Sequence, residues 1–201
     1  MSANFEKEVI LPSKGLLYGD MIKDGKVVIR SMTTAEEKKV LGSPSMDTFN
    51  EVIQSCVISP KDLKLSDLIT ADSMTLMILL RMHTYGSDYH LNLKCEHCDD
   101  VREYKIDLEK FEIYYLEDDF AEPLVIPLER SSDVIKARLL RGIDEVEIRE
   151  KAKRMNKQRN VPLTEASYML RMAKHIVAIN DDDKMLEPDI LNYIDNILSL
   201  S

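Results

Sequence analysis

The residues best suited to chemistry in this chain are Cys95 and Cys98, two thiols separated by Glu96 and His97. Two cysteines at that spacing on a turn fit one side of a tetrahedral zinc ion, and a structural zinc site needs four ligands. A second pair is missing. Cys56, His83, His90 and His97 are the other donors to weigh, and none has a partner at motif spacing. Cys95 and Cys98 are thus the candidate metal ligands and zinc the candidate cofactor, against the plain reading of a tight turn with two small residues or of a site that has lost half its ligands. A thioredoxin-type redox role fits poorly, because that motif opens a helix inside a βαβ unit.

Other catalytic patterns find no footing. There is no Gly-x-Ser-x-Gly, and six glycines in 201 residues never form a Gly-x-Gly-x-x-Gly or Walker loop. Asp181-Asp182-Asp183 lacks the spacing, glycine and terminal Glu of a calcium loop and reads as a solvated turn. The acids of 117–122 have no partner that would split two carboxylate pKa values. No catalytic residue is expected, and no enzyme.

The elements that must carry the cysteines follow from periodicity. Tyr89, Leu91 and Leu93 alternate with His90 and Asn92 ahead of Cys95, and 101–106 alternate behind Cys98. Residues 88–95 should therefore pair antiparallel with 101–107, with the cysteines at the tip. Before this ribbon, Met74, Met77, Ile78, Arg81 and Met82 recur along a helix over about 72–85, capped by Thr70 or Asp72. Leu76, Leu79 and Leu80 fill most of its remaining circumference, which predicts the most buried element of the fold.

Upstream, Val9-Ile10-Leu11 and Val27 to Met32 read as strands, with Gly25 closing the turn between them. Thr33-x-x-Glu36 is a capping box that opens a helix to about Leu41. A second helix spans about 47–57. Phe111 to Leu116 is a further strand candidate. The last third reads as three helices: 142 to about 160; one capped by Thr164 with Ala166, Met169, Leu170, Ala173, Ile176 and Val177 as its stripe; and Pro188 to Leu200.

Two stretches echo each other. Val28 to Glu37 aligns with Lys136 to Glu145, each a strand with an Arg followed by a helix opened by acids. Duplication and chance recurrence of a common strand-to-helix pattern both account for this.

Composition sets the outer limits. Lys and Arg number 27 against 36 Asp and Glu, a net charge of −9 that argues against phosphate-backbone binding and against an anionic membrane surface. No apolar run is long enough to span a bilayer, and the opening residues have neither a basic start nor an apolar stretch of a signal peptide. Three cysteines suit a reducing cytoplasm. Charge is unevenly placed. Residues 96–122 hold eleven acids and three bases, whereas 149–159 hold six bases (Arg149, Lys151, Lys153, Arg154, Lys157, Arg159) and one acid. The basic run is either a solvated helix face, an internal match to the acidic stretch, or a docking surface.

The order of several landmarks carries a resemblance. Leu11-Pro12-Ser13-Lys14-Gly15 with Tyr18, Ile29 to Glu37, Leu79 to Gly86, and Cys95-x-x-Cys98 followed by Ile106-Asp107-Leu108 succeed one another over about residues 9–150. In this order the chain resembles the baseplate hub assembly proteins of T-even-type contractile-tailed bacteriophages, the gene product twenty-six family. The resemblance implies a late, non-enzymatic protein that builds the central hub of the tail baseplate, as assembly chaperone or hub component. Its partners would be phage hub proteins, and its location the host cytoplasm during assembly or the virion baseplate. It supplies no catalytic residues. The alternatives are a zinc-stabilised cytosolic protein-interaction adaptor and a host-directed phage enzyme.

The expected fold is α+β, with a β-rich N-terminal half containing an antiparallel ribbon and a helical C-terminal part. Residues 1–130 would form a β-rich domain with the central helix and the Cys-x-x-Cys hairpin. Residues 131–201 would form a strand plus helical part, either separate or joined to the first in one compact unit.

Overall fold

The structure, a computed structural model, describes residues 5–129 and 131–196. It is α+β, with antiparallel sheets in the N-terminal half and helices dominating the C-terminal part. The chain divides into two compact units, residues 1–65 with 71–118 and residues 66–70 with 119–201.

In the first unit, β1 (Glu6–Ile10), β2 (Lys26–Arg30) and β3 (Val57–Ser59) form an antiparallel sheet in that order. Val9 faces Val27 across it, and both are buried. The long β1–β2 connection folds back on itself. Leu11 donates its amide to the Gly25 carbonyl, and the backbone at Lys14 and Gly15 lies against Gly25. A Cβ on Gly15 would stand 2.0 Å from the Ile22 carbonyl oxygen, and one on Gly25 would stand 2.7 Å from Lys14 Cα. Both glycines also have positive φ, so this close approach demands them.

β2 leads into α1 (Thr34–Gly42), whose N-terminus carries the expected capping box between Thr33 and Glu36. α2 (Met46–Cys56) follows, N-capped by Ser45, and passes directly into β3. α3 (Thr70–Tyr85) is the apolar helix of the sequence. Asp72 is fully buried in its first turn but does not cap it. The carboxylate instead accepts the Ser13 amide at 3.0 Å and the Tyr18 hydroxyl at 2.6 Å, anchoring the β1–β2 loop to the helix. The unit ends in the two-stranded ribbon of β4 (Asp88–Lys94) and β5 (Val101–Asp107). Their register runs from Asp88 opposite Asp107 to Lys94 opposite Val101, so the cysteines lie in the turn as expected.

The second unit repeats the opening order. β6 (Leu124–Pro127) pairs with β7 (Val134–Ala137), then α4 (Gly142–Arg159) and α5 (Leu163–His175) lead straight into β8 (Ile176–Ile179), which closes the sheet β6-β7-β8. In both sheets the register shifts where the third strand joins the second. α6 (Glu187–Asn196) completes the unit, and segment 66–70 pairs with Leu140 to Gly142. The core is built from Ile135, Ala173, Ile176, Ile190 and Ile194 on one side and Leu140, Ile148, Ala152, Ala166 and Leu170 on the other.

Several expectations change in the structure. Ile176 and Val177 belong to β8, not to the preceding helix, because the β-branched run Ile-Val-Ala-Ile finds a free edge on β7. Phe111 to Leu116 is not a strand; its one described cross-chain backbone bond is Leu116 N–H to the Pro12 carbonyl. α5 starts at Leu163 after Pro162, which sets the entry conformation without a side-chain cap from Thr164. α6 is described to Asn196, and the remainder of the expected Pro188–Leu200 helix lies outside the described residues. Finally, α3 is not the most buried element. Asp72, Leu76 and Leu80 are buried, Leu79 is only partly so, and Met74 is 55% exposed.

Candidate functional site: an apolar groove, an open ribbon and two arginine clasps

The strand-to-helix joints of both units carry the same device. Arg30, the last residue of β2, donates from Nη1 and Nη2 to the two carboxylate oxygens of Glu36 at 2.9 and 2.7 Å. It also donates to the carbonyls of Ser31 and Ser55. Arg138, just past β7, donates to both oxygens of Asp144 at 2.7 Å each and to the Leu139 carbonyl. The sequence separation is six residues in both. In both, the acid sits in the first helical turn and also accepts the amide of the residue before the helix, Thr33 or Arg141.

These contacts set the charge states. Arg30 above all, then the hydroxyl of Ser55 and the groups of Thr33, hold the Glu36 carboxyl far below the usual carboxylate range despite burial. Burial pushes Asp144 upward, but Arg138, the Arg141 amide and the Lys174 charge together hold it below its ordinary value. A planar guanidinium on a carboxylate in two parallel hydrogen bonds fixes angle as well as distance. Each pair thus clamps a helix start to a strand end. Both acids are saturated by internal donors, so these are structural groups and not an acid–base pair.

The first unit also holds an open apolar groove of about 410 Å³. Val40 and Leu41 of α1, Phe49 and Val52 of α2, and Met77 and Ile78 of α3 line it. Arg81 is also part of the lining. Its guanidinium lies 5.0 Å from the Tyr89 ring centre and 5.7 Å from that of Tyr85, while donating to the carbonyls of Gly86 and Asp88. Burial and the neighbouring Glu37 carboxylate raise the Tyr85 phenol above its ordinary value. The groove explains why α3 is apolar nearly all round yet incompletely buried.

Tyr89 joins the groove to the ribbon. On the face it shares with Leu91 and Leu93, the partners across the register are Ile106, Tyr104 and Arg102. Leu93 is 49% and Tyr104 46% exposed, so this apolar face lies open. The opposite face carries His90, Lys105 and Glu103, and His90 holds the Glu103 carboxyl below its usual range. A two-stranded ribbon with an apolar face normally needs something packed on that face.

At the ribbon tip both Cys95 and Cys98 are exposed. The amides of His97 and Cys98, then the Cys98 thiol, donate to Cys95 Sγ and pull that thiol below its ordinary value. Among the described residues, no group of three or more Cys, His, Asp or Glu side chains converges as one metal ion would require. Cys56 is buried 3.9 Å from the Glu36 carboxylate, where burial and that charge raise its thiol. His83 bonds the Phe5 carbonyl.

The basic run lies on α4. Lys151 pairs with Glu187 and Arg154 with Glu150, neither of them in the acidic 96–122 stretch, while Lys153, Lys157 and Arg159 are exposed. The groove escaped sequence reasoning because its walls come from three separate helices, whose packing no local pattern reports. Its one visible signal was the excess apolar circumference of α3.

A family model described as T4 bacteriophage base plate protein matches residues 3–198, nearly the whole chain. No curated protein and no solved structure matches it.

Proposed function

The chain belongs to the T4 bacteriophage base plate protein family, and from that premise we propose that it is a non-enzymatic protein acting in assembly of the central hub of the baseplate. The observation that carries this reading is the continuous open apolar surface of the first unit, from the α1–α2–α3 groove across Tyr89 onto the ribbon. Exposed apolar area of this kind marks a protein contact. The occupant is a hub protein, and the contact forms in the host cytoplasm during assembly. The carboxylates of Glu36 and Asp144, each taken up by an arginine in two hydrogen bonds, support a binding role over a catalytic one.

The test is affinity capture of the tagged chain from infected cells, read by mass spectrometry. Hub proteins should dominate the captured set, and Met77→Glu, which puts a charge in the groove, should remove them while the melting temperature stays within a few degrees. A captured set without hub proteins, or one unchanged by Met77→Glu, overturns the reading.

A further inference from the structure

We infer that residues 111–116 are a docking strand, which an extended basic segment of another protein completes by pairing with it backbone to backbone. Phe-Glu-Ile-Tyr-Tyr-Leu is rich in strand-forming residues, yet it belongs to no sheet. The chain runs from Phe111 to Glu117 without helix, turn or bend. Among the described residues, the amides and carbonyls of 112–115 make no backbone hydrogen bond.

Both ends of the segment are fixed. Ahead of it, Leu108–Lys110 forms one short helical turn capped by the Asp107 carboxylate, and Phe111 donates its amide to the Leu108 carbonyl at 3.3 Å. Behind it, Leu116 donates to the Pro12 carbonyl at 2.9 Å, and Asp118 pairs with Lys14 at 2.6 Å. A segment tethered straight loses less freedom on pairing than a loose one. Its aromatic side chains face water: Phe111 is 55%, Tyr114 80% and Tyr115 44% exposed. Strand addition uses these two features together, free main-chain groups for affinity and alternate side chains for specificity. A solvated connection needs neither the anchors nor the aromatics.

Charge selects the partner. Residues 109–118 hold four acids, Glu109, Glu112, Glu117 and Asp118, against the one base Lys110. Alternate positions on a strand share a face, so Glu112 stands beside Tyr114, whose hydroxyl donates to its carboxylate at 2.8 Å. A strand laid along this segment meets carboxylates toward both ends and aromatic rings between them. The occupant that fits alternates Lys or Arg with apolar residues, and an acidic segment is repelled.

This surface lies outside the groove lining, and its test on the full chain does not depend on the hub assignment. The probe is a short fluorescent peptide alternating lysine and valine, with binding read by anisotropy and by amide hydrogen exchange. Alternate amides within 112–115, fast in the free chain, should slow at least about tenfold on saturation. Binding should weaken as salt rises, and a fully N-methylated peptide, which keeps the charge but has no amide to donate, should not bind. Tyr114→Ala should weaken binding about tenfold, with the melting temperature within a few degrees of the parent. The inference is overturned if the lysine–valine peptide does not bind, if residues 112–115 are already protected in the free chain or gain no protection on binding, if the N-methylated peptide binds equally, or if Tyr114→Ala leaves the affinity unchanged.

Discussion

The two units share one frame and use it differently. Each has a three-stranded antiparallel sheet, a helix pair running directly into the third strand, and an arginine clasp at the second strand's end. In the second unit the helix pair is closed. Ala152 and Ala166 are 1% and 0% exposed, and these small residues let α4 and α5 approach with Ile148 and Leu170 packed between them. In the first unit α1 buries no residue at all, and the bulkier Val40, Leu41 and Phe49 border an open groove. The same architecture thus forms a self-sufficient core in one half and an unfilled surface in the other. Alanine at the helix contact favours closure; large apolar groups without a partner leave an interface.

The contrast is sharpest in core deletions. Leu170→Ala in the closed pair and Leu76→Ala in α3, both essentially unexposed, should each cost about 2–5 kcal/mol in urea unfolding. Phe49→Ala in the groove should cost about 1 kcal/mol or less, because its side chain is only partly buried. Leu79→Ala should also fall below the core range. A groove substitution as costly as Leu170→Ala would make the groove part of the core and remove the contrast.

The clasps test the shared frame. Arg138→Ala and Arg30→Ala should each destabilise by about 3 kcal/mol, since a carboxylate is left without its partner. The second-unit variant should lose more, because the Asp144 side chain is 6% exposed and that of Glu36 16%. A large loss at one clasp and none at the other would show that the likeness is only geometric.

Acid titration follows with a smaller effect. Glu36 and Asp144 both have folded-state pKa values below their ordinary ones. Their contribution to stability is therefore complete above the unfolded carboxylate value, about 4, and is lost as pH falls from there through the folded values. The double variant Glu36→Gln, Asp144→Asn should show a shallower loss of stability below about pH 4 than the parent. An unchanged slope would assign the acid limb to other carboxylates.

The smallest effect belongs to the α4 surface. Replacing Lys153, Arg154 and Lys157 by Glu should leave stability within about 0.5 kcal/mol. It should slow association with a hub partner and flatten the salt dependence of that rate. Unchanged kinetics would reduce the run to a solvated face.

Much of this frame was legible in residue order. The Thr33–Glu36 box, the 88–107 ribbon with its cysteine turn, and the Val28/Lys136 echo all rest on short-range patterns that tertiary context did not override. The echo in particular aligned Arg30 with Arg138 and Glu36 with Asp144, the very pairs that form the clasps. What escaped was non-local. In the sequence Ile176 and Val177 continue the stripe of α5, and only the open edge of β7 makes them a strand. Asp72 looked like a cap because Ser13 and Tyr18, its real partners, lie more than fifty residues away. The groove was invisible for the same reason: its walls meet only after α1, α2 and α3 have folded together.

The bond from the Ser13 amide to Asp72 has a consequence for how the first unit opens. Ser13 and Asp72 are both fully shielded from water, yet they are joined across 59 residues of chain by one backbone proton. That proton can exchange with solvent deuterium only when the β1–β2 loop leaves α3. Its exchange rate therefore reports the cooperative opening of loop and helix together, well apart from the fraying of α1. Ser13 is a built-in isotopic clock for the unit that carries the groove.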